Sequence, residues 1–203
     1  KQVQKVRHPW LFDKAIKPGS DIEPGAVVSV DWKRETLARG LYAPDSPIRV
    51  RLLTWGDVLP DERWIAGIAA KAAKRRRRDR RLSRCTGLRL LHGEGDWAPG
   101  LVLDLYADMA VAGFDGAACE AFWLPHLGIV IEAFIAEGFA ITGVVRKGTG
   151  ELLLGTLGPG NGSVVIEENG ARFEVDTQRG HKTGFFLDQR ENRRRLRGFA
   201  AGR

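Results

Sequence analysis

The chain has 203 residues, 43% of them apolar and with six Trp and nine Phe, enough to bury a core in one large or two small domains and too many for a disordered tail. It holds no uninterrupted apolar run of about 20 residues, no apolar core of the secretory kind in residues 1–10, and only two cysteines, too few for a disulfide framework or a four-ligand zinc site. The formal charge of +7 is concentrated: residues 71–84 hold nine Lys or Arg against Asp79 and carry +8, a local field that points to a polyanion, most commonly nucleic acid.

Through the first 60 residues, short β-rich runs alternate with turn residues. Strands are expected at 26–31, 36–42 and 48–53, punctuated by Pro24-Gly25 and Ala43-Pro44-Asp45-Ser46. Alternation in the third turns Ile48, Val50 and Leu52 inward and Arg49 and Arg51 outward, predicting a half-buried sheet with a basic outer surface. Trp10 is assigned to the core beneath an N-terminal strand cap. From Pro60 the period lengthens, and Trp64, Ile65, Ile68, Ala69 and Ala72 recur at helical spacing behind Asp61. This helix is expected to run on to about Arg84 as a linker. Six Arg between positions 75 and 81 repel one another more than solubility requires, and bound phosphate would relieve them.

After Gly87, strands are expected at 88–92, 101–105 and 109–114, then a helix over 122–137 built on Phe122, Leu127, Val130, Ile131, Phe134 and Ile135. Strands at 142–146 and 152–156 follow. A hairpin pairs 164–167 with 172–175 across Asn169-Gly170, and a helix spans 188–197, opening on Asp188. The glycine-rich segment 158–162 lacks a following helix and reads as a hairpin loop rather than a phosphate cradle. Glu94 and Asp96 read as organisers of backbone N–H groups, since no His or Cys completes a ligand set around them.

Arg7-His8-Pro9-Trp10-Leu11-Phe12, with Leu37-Ala38-Arg39-Gly40 and Ile48-Arg49-Val50-Arg51, opens a series of motifs. It continues with Leu88-Arg89-Leu90-Leu91-His92-Gly93-Glu94-Gly95-Asp96, running into Pro99-Gly100-Leu101-Val102-Leu103-Asp104. It ends with Glu168-Asn169-Gly170 and Gly180-His181-Lys182-Thr183-Gly184-Phe185-Phe186-Leu187-Asp188-Gln189-Arg190. In that order these stretches resemble one family: class I S-adenosylmethionine-dependent methyltransferases that carry a PUA domain and make 5-methylcytosine in large-subunit ribosomal RNA.

The resemblance implies an α+β chain. A small β-barrel-like PUA domain would occupy 1–60, a basic linker helix 61–86, and a central mixed α+β domain 87–187. Residues 188–203 would begin the connection to a Rossmann-like methyltransferase domain, expected beyond Arg203 and absent from this sequence. The chain starts at Lys1 rather than Met, and 198–203 shows no terminal cap, as expected of a trimmed start and a cut end.

The resemblance places the catalytic cysteine in that absent domain, so neither a catalytic residue nor a metal ligand is expected here. Cys85 and Cys119 are read as structural and unlinked, although a thiol directly behind a basic helix could have a lowered pKa. S-adenosylmethionine is the cofactor of the full-length family, with no tight binding expected of this chain; Thr183, Phe185, Phe186, Asp188 and Gln189 would help to close its pocket. Ribosomal RNA is the expected partner, through Arg7, Arg49, Arg51, Arg75, Arg76, Arg77, Arg78, Arg80, Arg81, Lys182 and Arg190. No membrane is expected, the location is cytoplasmic, and a homodimer is left open. The alternative is a stand-alone, non-catalytic RNA-binding or ribosome-assembly protein on the same scaffold. Another target base, or transfer RNA, is also left open.

Overall fold

The computed structural model describes residues 8–17, 21–158, 160, 162–178 and 184–200. The chain divides into two compact units, one made of residues 1–72, 91–102 and 114–134 and the other of residues 73–90, 103–113 and 135–203.

The first unit is founded on an antiparallel sheet of β1 (Trp10–Phe12), β2 (Val27–Trp32), β3 (Glu35–Tyr42) and β4 (Ile48–Trp55), in the order β1-β4-β3-β2. Leu11, Ala38, Tyr42, Val50 and Leu52 form its core, with Val28, Val30 and Trp55 packed against them. Lys33 and Arg34 both take positive φ (51° and 70°) in the two-residue turn between β2 and β3, matching the twist of the strands they join. β1 has only three residues, too few to show alternation.

Helix α1 (Glu62–Arg78) begins behind Asp61, whose Oδ1 accepts the Trp64 N–H at 2.8 Å. Its apolar stripe buries Ile65, Ile68, Ala69, Ala72 and Ala73. It ends at Arg78 rather than near Arg84: Asp79 is extended (φ −77°, ψ 104°) and caps a separate 3-10 turn, Arg80–Leu82, by accepting the Arg81 N–H at 3.0 Å.

Helix α2 (Ala117–Ala136) starts five residues before the periodic pattern expected at 122. Its length and composition would also suit a membrane span, but Ala118, Cys119, Phe122, Trp123, Leu127, Val130, Ile131 and Phe134 are buried within the fold. The Trp123 indole N–H donates to the Pro99 carbonyl at 2.9 Å. Gly100, at φ +75°, faces the Cys119 side chain so closely that a Cβ would overlap its sulfur, so only glycine fits.

A second sheet has the order β5-β6-β7-β8-β9, from β5 (Gly87–His92), β6 (Leu101–Tyr106), β7 (Met109–Phe114), β8 (Gly143–Arg146) and β9 (Leu152–Gly155). β7 and β8 are parallel, so the chain between them crosses over, and α2 lies in that connection; β8 and β9 are antiparallel. A separate hairpin pairs β10 (Ser163–Glu168) with β11 (Ala171–Asp176) across Asn169 (φ 51°) and Gly170 (φ 80°), the turn its sequence specifies. Because β9 and β10 belong to different sheets, they do not pair as the hairpin expected across 158–162, of which Pro159 and Asn161 lie outside the described residues.

In the second unit Tyr106, Met109, Val111, Val145, Ile166 and Val175 form the core, with Phe173, Phe185 and Leu187 packed on it. The chain then makes a 3-10 turn, Leu187–Gln189, before helix α3 (Arg190–Ala200). The helix therefore starts two residues after Asp188, the position expected to open it.

Candidate nucleic-acid interface

Charge separates the two units. Over the full sequence the first carries −2 and the second +9. Within the second, residues 73–84 carry +7 and residues 190–197 carry +4, so these two stretches hold all of its excess.

The arginines at the end of α1 divide by role. The Arg76 Nε donates to the Arg89 carbonyl at 3.1 Å and the Arg77 Nε to the Glu137 carbonyl at 3.0 Å, while the Arg77 guanidinium lies 5.3 Å from the centroid of Phe139. Both fasten the helix end, where the helix dipole also favours cations. Arg81 forms a two-pronged pair with Asp79 at 2.9 and 2.7 Å, and this pairing holds the Asp79 carboxyl down to about 2. Arg75, Arg78, Arg80 and Arg84 are exposed.

The β4 arginines do not form the expected basic outer surface. Arg49 pairs with Asp13 at 3.0 and 2.6 Å. Arg51 is 4% exposed, donates to Glu94 at 2.9 Å, pairs with Asp115, and lies 5.6 Å from the centre of the Trp10 ring. Trp10 is half-buried rather than in the core, and its indole N–H donates to Glu94 at 2.7 Å. Asp96 accepts the His92 N–H at 2.8 Å, a structural use of the acid pair. Arg7 lies outside the described residues.

Of the proposed cofactor-facing stretch, Lys182 and Thr183 also lie outside the described residues. Phe185 is half-buried and packed on the core: its ring is 5.0 Å from that of Phe173 and 4.2 Å from the Arg193 guanidinium, and its carbonyl accepts the Tyr106 O–H at 3.2 Å. Phe186, Asp188 and Gln189 are exposed.

Arg190 sits beside Cys85 with its Nε buried and without a hydrogen-bond partner among the described residues. Even so, burial pushes the Cys85 thiol up against the opposing charge of Arg190, the reverse of the lowering that a basic helix before it could produce, and in line with a structural cysteine. Burial pushes Cys119 up to about 11, and both thiols are free.

Sequence reasoning missed the other arginines of α3. Arg193 grips the buried Glu168 carboxylate through two hydrogen bonds of 2.8 and 2.7 Å, and Arg197 donates to the Asn169 carbonyl. The signal was available, since five of the eight residues from 190 to 197 are Arg.

Comparison with known proteins gives first a domain class: residues 2–55 match the family described as "PUA-like domain". Relatives follow. The chain is 38% identical over 216 residues to "Ribosomal RNA large subunit methyltransferase" of Deinococcus radiodurans, a match covering 97% of this chain and 52% of that protein. It is 34% identical over 202 residues to "Ribosomal RNA large subunit methyltransferase I" of Pseudoalteromonas atlantica, covering 92% of this chain and 49% of that one. The chain thus spans about half the length of the curated relatives it matches. Its fold is similar to that of SMU.776, described as "a putative methyltransferase complexed with SAH", at a TM-score of 0.78 and 20% identity over 96% of this chain and 50% of the other.

Proposed function

We propose that this chain is the RNA-gripping and adaptor portion of an S-adenosylmethionine-dependent methyltransferase acting on large-subunit ribosomal RNA in the cytoplasm. In this reading 1–60 is the PUA domain, 61–86 the basic linker and 87–187 the central domain, with 188–203 leading on. Methyl transfer is assigned to the part of the relatives that the chain does not span. The product is 5-methylcytosine, whose formation needs a thiolate adding to C6 of the base. Cys85 and Cys119, both pushed up by burial, are poorly suited to that task.

The observation that carries the reading is the concentration of net positive charge in 73–84 and 190–197, which carry +7 and +4 while the rest of the chain sums to −4. A base modified within structured RNA must be extruded by one module while another holds the backbone, and these stretches supply the hold. The test is a pair of titrations of the whole chain. Calorimetry with S-adenosylmethionine is expected to give no heat, and a ribosomal RNA fragment is expected to bind with an affinity that falls steeply with salt. Micromolar cofactor binding, or RNA binding indifferent to salt, overturns the assignment.

A further inference from the structure

We infer that α3 is a second phosphate-binding arm, and that it and the arginine run grip one RNA backbone on either side of the Asn169–Gly170 turn. The inference rests on the RNA-binding reading above and assigns its second half.

The geometry is fixed by the hairpin. The Asn169 N–H donates to the Arg84 carbonyl at 3.0 Å, and the Asn169 carbonyl accepts from Arg197, so a single residue ties the end of the arginine run to α3. One residue earlier, Glu168 forms an isolated bridge with Cys85 and takes both hydrogen bonds of Arg193. One earlier again, Glu167 and Thr86 exchange bonds of 2.9 and 2.8 Å. The two basic segments, more than 100 residues apart in sequence, are thus held in one register by Glu168 and Asn169, with Glu167 fastening the hairpin to Thr86.

At this junction lies an open groove of about 450 Å³ lined by Ser83, Arg84, Thr86, Glu167 and the turn. Arg84 is on one rim. On α3, Arg190, Arg193 and Arg197 share the face toward the hairpin, one turn apart, and Arg194 adjoins that face. Arg193 is consumed by Glu168. Arg197 spends one N–H on Asn169 and, among the described residues, keeps the other donors of its guanidinium. Among the described residues Arg194 is held by Glu191 alone, at 2.9 Å in a pair half open to water, a contact that a phosphate displaces at little cost. Glu167 is the one carboxylate among the described residues that line the groove, and it opposes a phosphate there.

The experiment is fluorescence anisotropy of a fluorescein-labelled ribosomal RNA hairpin with the whole chain, from about 50 to about 200 mM salt. Four proteins are compared: the parent, an R75Q/R78Q/R80Q variant, an R194Q/R197Q variant, and Glu167→Gln. At about 0.9 per duplex phosphate, the log–log salt slope is expected to flatten by about 2.7 in the triple variant and about 1.8 in the α3 variant, with unchanged circular dichroism. Glu167→Gln is expected to tighten binding about twofold or more at the low-salt end.

If the triple variant flattens the slope and the α3 variant matches the parent, RNA binding stands and the second arm is overturned; that is also the result expected if α3 instead faces an acidic protein surface. If Glu167→Gln weakens binding, the groove is not the path of the backbone. If the parent shows no salt-dependent binding, the RNA reading itself falls, and the inference with it.

Discussion

Removing Arg193 should reveal how firmly α3 is fastened. The Glu168 carboxylate is 4% exposed and its guanidinium partner 23% exposed, so Arg193→Met leaves a buried charge without its counter-ion. Breaking a fully buried pair costs about 3–5 kcal/mol, and the partial exposure of Arg193 lowers that to about 2–3. The stacking of the guanidinium 4.2 Å above Phe185 adds about 0.5–1 kcal/mol. The expected loss is therefore about 3 kcal/mol in urea unfolding. Glu168→Gln keeps the shape and removes the charge, and the double variant should be less damaged than the two single losses combined, because each single change strands the other partner. A coupling of about 1.5 kcal/mol or more is expected. A loss under about 1 kcal/mol for Arg193→Met, or additive losses in the cycle, would refute the view that this pair fixes α3 to the hairpin.

Arg51→Met should cost about 2 kcal/mol, less than a fully buried pair because Asp115 remains exposed to water, and should leave the RNA salt slope unchanged; a flattened slope would return Arg51 to the RNA surface. The Asp79 carboxyl should titrate near pH 2 when followed by carbon-13 NMR, since its pairing with Arg81 lowers its folded value. Its stabilising contribution is therefore present above the ordinary carboxylate range and lost as pH falls through about 2, whereas a midpoint near 4 would show the pair absent in solution. Cys119, pushed up to about 11 by burial, should resist iodoacetamide at neutral pH until the chain is unfolded with urea; rapid labelling of the native protein, located by peptide mass, would contradict its placement.

What the sequence disclosed follows from how local each determinant is. The β10–β11 hairpin was legible because Asn169-Gly170 specifies its turn within two residues. The stripe of α1 was legible because Ile65, Ile68, Ala69 and Ala72 repeat at helical spacing. The start of α2 was not, because Ala117–Ala121 offers little contrast between an apolar and a polar face. Nor was the end of α1, where Asp79 competes as the cap of a new turn inside a run that otherwise favours helix. Alternation in β4 correctly set Arg51 opposite Val50, yet it could not show that this face is covered, since Glu94 and Asp115 arrive 43 and 64 residues later. At the candidate site, charge density located the first arginine stretch but not how its members divide, which depends on carbonyls and carboxylates supplied by distant segments.

That division gives the clearest physical argument for an external partner. A fold needs a cation where it has an acceptor to satisfy, and the second unit uses Arg76, Arg77 and Arg193 in this way, on two carbonyls and one buried carboxylate. Arg78, Arg80 and Arg84 are exposed beside them, and like charges crowded at a helix end repel one another while contributing little through surface pairing. Their presence is explained if a polyanion neutralises them. Anchoring and outward arginines alternate within one short run, so substitutions can part the two roles. Arg77→Gln should lower unfolding stability with a small change in the RNA salt slope, and Arg78→Gln should flatten the slope by about 0.9 with stability unchanged or improved. If both variants lose stability alike and the slope stays fixed, the run serves packing alone.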